Sequence, residues 1–341
     1  MTIDTELQAT IAAMVQKGKG ILAADESVPT ITKRFNAVGV ECNEESRRAY
    51  RSLLLTTPGV GEYLSAVILF EESLGQKTGD GTPLPQAAER QGIVPGIKVD
   101  KGKVALANAP GDMVTQGLDG LANRLQAYKA QGARFAKWRE VYPITEHNPT
   151  RLGIEANAEM LARYAAVCQN EGFVPIVEPE VLLDGDHSLP RCAEVTEAVL
   201  HAVFHALHRH GVRLEYMLLK PNMVLPGKDS ARQSGPEEVA LETVKVLRRT
   251  VPAAVPSINF LSGGQTSTQA TANLNAMNVL FPQAPWELSF SYARALQEPV
   301  LDAWRGNPEN LVAAQQLLHR RAQLNGAARQ GQYKPEMEHE V

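Results

Sequence analysis

The chain has 341 residues, 44% of them hydrophobic and 21% charged, which is ordinary usage for a globular protein and enough apolar material to exclude global disorder. With 34 basic against 38 acidic side chains the net charge is −4, which argues against a nucleic-acid partner. Three scattered cysteines, Cys42, Cys168 and Cys192, make neither a disulfide framework nor a Cys-rich zinc site and point to a reducing cytoplasm.

The opening Met-Thr-Ile-Asp-Thr-Glu is polar and acidic, unlike a signal or transit peptide. The longest apolar runs, such as Ala66 to Phe70, fall far short of the roughly 18 residues of a membrane span. Gly18-Lys-Gly-Ile-Leu-Ala23 fits a loose dinucleotide fingerprint, but its glycines precede a strand where that motif needs them after one.

A unit then recurs along the chain: a short apolar, β-rich run ends in a charged or hydroxyl residue, and a helical pattern follows. The runs are Gly20 to Asp25, Ser65 to Glu71, Ile93 to Lys98, Ala133 to Lys137, Phe173 to Glu178, Glu215 to Lys220, Val255 to Ser262 and Trp286 to Ser291. Their polar ends lie 27 to 46 residues apart, room for one strand, one helix and two loops. Between them, Asn157 to Gln169 carries Met160, Leu161, Tyr164 and Val167 at helical spacing, and Glu237 to Arg249 carries Val239, Leu241, Val244, Val246 and Leu247. No linker or low-complexity tract divides the chain. Eight uninterrupted βα units predict a single α/β domain, residues 1–341, folded as a closed (β/α)8 TIM barrel; an open doubly wound sheet is the alternative. His201, His205 and His208 have metal-ligand spacing on a helix, but they fall on the outer ring between the fifth and sixth strands, where a solvated face is expected. No metal is expected. The closing Glu336 to Glu340 reads as a solvated acidic tail, from about residue 330 to 341.

In such a barrel the active groups belong at the C-terminal ends of the strands. Asp25, Glu71, Lys98, Lys137, Glu178, Lys220 and Ser262 end seven of the runs, and Arg294 follows the eighth. Opposed charges of mixed sign around one mouth suit acid–base chemistry on an anionic substrate. Strand alternation puts Lys98 with Asp100, Lys137 with Arg139, and Glu178 with Glu180 on shared faces.

A lysine that attacks a carbonyl must be neutral, although its ordinary pKa is about 10.4. Lys220 follows Tyr-Met-Leu-Leu, the most apolar approach of the three lysines, and Lys137 and Arg139 could act as neighbouring cations. A strand-end lysine reaching to solvent is the plainer alternative. Glu178 and Glu180 pair two carboxylates, whose repulsion is expected to raise the pKa of one; ion pairing with Lys137 or Lys220 is the other reading. Ser262-Gly263-Gly264 after the seventh strand and Ser291 to Arg294 after the eighth combine free backbone N–H groups, hydroxyls and a guanidinium where this barrel binds phosphate; a plain glycine turn is the alternative.

Gly18 to Ser27, Gly96 to Gly102, Ala136 to Arg139, Val177 to Glu180, Leu218 to Met223, Leu261 to Gln265 and Phe290 to Leu296 together resemble class I fructose-bisphosphate aldolase, nearly end to end and in order. The resemblance implies a (β/α)8 barrel, usually a tetramer, acting on a phosphorylated sugar with no metal and no cofactor beyond a covalent imine on Lys220. It implies proton transfer by Glu178, work by Asp25 on the carbon-4 hydroxyl, and help from Lys137 in forming and holding the intermediate. Glu180 belongs to the same catalytic group. Ser262, Gly263, Gly264, Ser291 and Arg294 match the binders of one phosphate; Arg34, Lys98 and Arg139 match positions nearer the other, with Ser27 and Thr30 as helpers. Departures are Val28-Pro-Thr-Ile31, where many members have a glycine and a serine, and Ala293, where glycine is common. Many members also carry a longer tail closing in tyrosine; here Tyr333 is the last tyrosine, and the acidic tail is expected to lie outside the mouth without a catalytic part. The competing readings are another Schiff-base barrel enzyme of the transaldolase kind and a non-catalytic phosphate-binding scaffold.

Overall fold

The computed structural model describes residues 2–339. Its strands are β1 (Gly20–Ala24), β2 (Leu64–Leu69), β3 (Val94–Lys98), β4 (Lys103–Ala105), β5 (Met113–Thr115), β6 (Phe135–Tyr142), β7 (Val174–Val181), β8 (Leu218–Leu219), β9 (Ser257–Phe260) and β10 (Glu287–Tyr292). The helices are α1 (Ile3–Met14), α2 (Val28–Ala37), α3 (Glu44–Leu55), α4 (Glu71–Gly75), α5 (Leu84–Glu89), α6 (Leu121–Ala130), α7 (Arg151–Asn170), α8 (Leu189–Arg209), α9 (Pro236–Thr250), α10 (Ser267–Leu280), α11 (Arg294–Trp304) and α12 (Leu311–Arg329). Eight parallel strands close in the order β1-β10-β9-β8-β7-β6-β3-β2, so the predicted barrel is present and the open sheet is excluded.

Period-two alternation explains how one sequence builds both floor and mouth. Ile21 and Ala23, Val94, Phe135, Val174 and Ile176, and Leu218 point inward and pack into one apolar plug, closed from below by Leu7 and Met14 of α1. Continuing the same parity up each strand reaches Asp25, Lys98, Lys137, Glu178 and Lys220. The other parity, including Leu22, Val67, Leu69, Ile97, Trp138, Val177 and Leu219, joins the larger core beneath the helices. Gly96 lies where the Phe135 ring crosses the floor: a Cβ there would stand 2.3 Å from the ring.

Three expectations need correction. Lys137 and Glu178 are not strand ends, because β6 and β7 pair continuously from Phe135↔Val174 to Tyr142↔Val181. Glu71 opens α4 instead of ending β2, and its carboxylate turns outward to Lys101 Nζ (2.5 Å) and the Tyr128 hydroxyl (2.7 Å). The C-terminal segment is docked in part: Glu336 and His339 stay exposed as expected, but Pro335–Glu338 forms a 3₁₀ turn whose Glu338 pairs with Arg321 of α12 (2.6 Å) and accepts from the Tyr333 hydroxyl (2.9 Å). Arg320 also donates to the Met337 carbonyl. Glu340 and Val341, the end of that tail, lie outside the described residues.

The β4–β5 hairpin carried no sequence signal: its strands are three residues each, and β4 is exposed. Glu140 ties it to β6, accepting from the Thr115 N–H (3.0 Å) and from Trp138 Nε1 (2.8 Å); burial pushes its carboxyl up to about 7.

Candidate active site

The upper end of the barrel opens into a cavity of about 420 Å³, lined by Asp25, Lys98, Lys137, Arg139, Glu178, Glu180 and Lys220 from β1, β3, β6, β7 and β8 or the residues just beyond them. At its centre runs a chain of alternating charge. Lys220 Nζ is 3.3 Å from Glu178 Oε1, Glu178 Oε2 is 3.0 Å from Lys137 Nζ, and Lys137 Nζ is 2.8 Å from Asp25 Oδ2. These four side chains are at most 11% exposed. β8 is only two residues long, and Lys220 follows it with its N–H still paired to the Val177 carbonyl (2.8 Å). Pro221 offers no N–H to carry the ladder further.

Burial would push the Asp25 carboxyl up, but Lys137, with Lys220 and Lys98 behind it, outweighs burial and holds it well below the usual carboxylate range. Glu178 behaves alike: burial raises it, and Lys137, Lys220 and Arg139 together bring it below its ordinary value. Burial lowers the Lys137 ammonium's pKa, and Asp25 and Glu178 reverse that, keeping it charged. The expected raising of one carboxyl of the Glu178–Glu180 pair does not occur at Glu178, where the alternative reading holds: it pairs with Lys137 and Lys220, while Glu180 accepts from Arg139 Nε. Lys98 keeps its predicted companion, with Asp100 Oδ1 3.5 Å from its Nζ.

Two polar groups border this chain. On the side of β9 and β10, Ser262, Gly263, Ser291 and Arg294 line the cavity. The Ser291 hydroxyl is buried with no hydrogen-bond partner, a donor left open for a ligand. Gly263 and Gly264 have φ of +57° and +94°, a left-handed turn that suits glycine. Gly264 is not among the lining residues; it sits against the Arg294 guanidinium, where a Cβ would be 3.4 Å from Nη2. On the side of β1 and α2, Ser27, Thr30, Lys33 and Arg34 line the cavity with Lys98 and Arg139. Ser27 stands at the N-cap position of α2 without a side-chain capping hydrogen bond, and Pro29 sits in the first turn, where its fixed φ fits. The Ser27 and Thr30 hydroxyls lie 3.2 Å apart.

Sequence reasoning missed Lys33 and Glu26, both of which border the cavity. Lys33, unlike its neighbour Arg34, carried no motif of its own, and strand parity directs Glu26 away from Asp25. His201, His205 and His208 are exposed on α8. Among the described residues no group of three or more His, Cys, Asp or Glu side chains is arranged to hold a metal, and no helix is long and apolar enough to cross a membrane.

The family model described as "Fructose-bisphosphate aldolase class-I" matches residues 6–341. A "Fructose-bisphosphate aldolase, non-muscle type" from Lethenteron camtschaticum is 54% identical over 331 residues, 97% of this chain and 91% of that protein. The "Fructose-bisphosphate aldolase, cytoplasmic isozyme" of Spinacia oleracea is 55% identical over 328 residues, 96% of this chain and 92% of that one. Among solved structures, the Plasmodium falciparum fructose-bisphosphate aldolase, in complex with TRAP and a small-molecule inhibitor, superimposes with a TM-score of 0.96 at 50% identity, covering 97% of this chain and 96% of that one. The resemblance first carried by motifs thus extends over whole sequences and the whole fold, and this chain belongs to the class I fructose-bisphosphate aldolases, the lyases of glycolysis that cleave their ketose through a lysine Schiff base.

Proposed function

We propose that Lys220 is the amine that forms the imine, and that the side chains around it divide the remaining proton transfers. The observation that carries this reading is the placement of Lys220 at the centre of the cavity, with Glu178 Oε1 3.3 Å from its Nζ. Lys220 first passes a proton to Glu178, which is ionised in the resting site, and the neutral amine attacks carbon 2 of fructose 1,6-bisphosphate, one nitrogen proton moving to the carbonyl oxygen to give the carbinolamine. Glu178 then passes its stored proton to the carbinolamine hydroxyl, which leaves as water, and the iminium remains. Lys137, between Asp25 and Glu178, steadies the developing charge. Asp25, held ionised, takes the proton of the carbon-4 hydroxyl. The carbon 3–carbon 4 bond then breaks toward the iminium, which becomes an enamine, and glyceraldehyde 3-phosphate leaves. Protonation at carbon 3 and hydrolysis release dihydroxyacetone phosphate and restore Lys220. The iminium is the electron sink, so this sequence of steps calls on no metal.

Carbon 1 is one bond from the imine carbon, and β9 and β10 follow β8 around the barrel. The carbon-1 phosphate is therefore assigned to Ser262, Gly263, Ser291 and Arg294, with Gly264 shaping the turn. The carbon-6 phosphate is assigned to the second group, Ser27, Thr30, Arg34, Lys98 and Arg139. Glu180 keeps Arg139 in place. A homotetramer follows from the family resemblance, and the cytoplasmic naming of the spinach relative supports a cytoplasmic location.

Borohydride reduction in the presence of dihydroxyacetone phosphate tests the assignment. A mass increase on the Lys220 peptide that disappears in Lys220→Met is expected; labelling of Lys98 or Lys137 instead would overturn it.

A further inference from the structure

Glu26 follows Asp25 in sequence but does a different job. Its side chain borders the cavity, yet is 4% exposed and takes donors from three helices. Oε1 accepts from Arg34 of α2 and from Gln297 Nε2 of α11 (2.9 Å); Oε2 accepts from Arg51 Nη2 of α3 (2.6 Å). Burial pushes this carboxyl up, and Arg51 and Arg34 outweigh burial to bring it below its ordinary value, so it stays charged at neutral pH. Of the three donors, only Arg34 also lines the cavity. Gln297 has a second anchor, the Ala23 carbonyl at 2.6 Å, so α11 remains tied to β1 without Glu26.

We propose that Glu26 is a positioning residue that sets the preference for a ketose carrying a second phosphate, by holding the Arg34 guanidinium at the carbon-6 pole before substrate arrives. This rests on the assignment of the two phosphate poles above. An unrestrained arginine loses side-chain freedom when it meets a phosphate, whereas one fixed beforehand by a carboxylate has already done so. Arg294 makes no hydrogen bond to Glu26; it borders a second, small cavity with Arg34 and Gln297, and Gln297 keeps an anchor at the Ala23 carbonyl besides Glu26.

The test compares KM and kcat for fructose 1,6-bisphosphate and fructose 1-phosphate in the parent, Glu26→Gln, Arg34→Met and the double variant. Because Glu26→Gln leaves Arg51 as a buried cation without its carboxylate, the same set is made in an Arg51→Met background, where that obstacle to folding is gone. Glu26→Gln should raise KM for the bisphosphate about tenfold, several-fold more than for the monophosphate. The double variant should be no worse than Arg34→Met, because both substitutions disable one device. Equal rises for the two ketoses, or rises that multiply in the double variant, would overturn the proposal and leave Glu26 a structural residue. Trapping of dihydroxyacetone phosphate on Lys220 is measured separately; its failure in the parent would sink the imine assignment, while the comparison of the two ketoses still judges Glu26.

Discussion

Replacing Lys137 by methionine removes the central cation of the mouth while keeping a side chain of similar length. Lys137 Nζ lies 2.8 Å from Asp25 and 3.0 Å from Glu178, and its side chain is 4% exposed. At an effective dielectric of about 20, each contact amounts to roughly 5–6 kcal/mol of attraction before desolvation is subtracted. The net cost of removing one partner from a buried ionic cluster is smaller, about 3–5 kcal/mol. In the parent, burial raises both carboxyls and the lysines more than reverse it, so both lie below their unfolded values. Groups of that kind stabilise the fold fully above the unfolded pKa and lose their contribution only as pH falls through the folded one. Between pH 5 and 7 these two carboxyls therefore leave parental stability flat. Without Lys137, burial is opposed by fewer cations, and at least one carboxyl rises above its unfolded value. The native state then holds a proton that the unfolded chain has released, and the variant loses stability as pH rises, by up to about 1.4 kcal/mol per pH unit. The deficit should be largest at pH 7 and narrow toward pH 5. Urea unfolding at pH 5, 6 and 7, at one protein concentration and with m-values compared, measures it. A deficit below about 1 kcal/mol at pH 7, or one of equal size at pH 5 and 7, would refute the reasoning.

Two further outcomes test the division of labour in the site. Glu178→Gln should lower kcat by about a hundred- to ten-thousand-fold and slow imine trapping, since it removes the group that shuttles protons at Lys220; turnover near the parental rate would remove Glu178 from that role. Arg294→Ala should raise KM for fructose 1,6-bisphosphate by about ten- to a hundred-fold, the loss of a charge-assisted fork on phosphate, and far less for an unphosphorylated analogue; equal effects on both would make the arginine structural.

The sequence by itself determined the architecture, because a (β/α)8 barrel repeats one short pattern. Alternation along Ile21-Ala23-Asp25 or Val174-Ile176-Glu178 already encodes an apolar floor and a charged rim on the same face. The motifs around Lys220, Glu178 and Ser262 also carried the family, since the chemistry confines them to a few residues in fixed order. Tertiary structure alone decided which charges meet. Glu71 and Glu178 look alike as carboxylates following apolar runs, but one opens a helix toward Lys101 and the other sits within a strand between two lysines. The shifts at Asp25 and Glu178 depend on cations 39 to 195 residues away in sequence, so no local pattern could give their direction. Glu26 was out of reach for the same reason: its partners on α2, α3 and α11 lie 8, 25 and 271 residues along the chain, and only closure of the barrel, which sets the last strand beside the first, brings Gln297 to it.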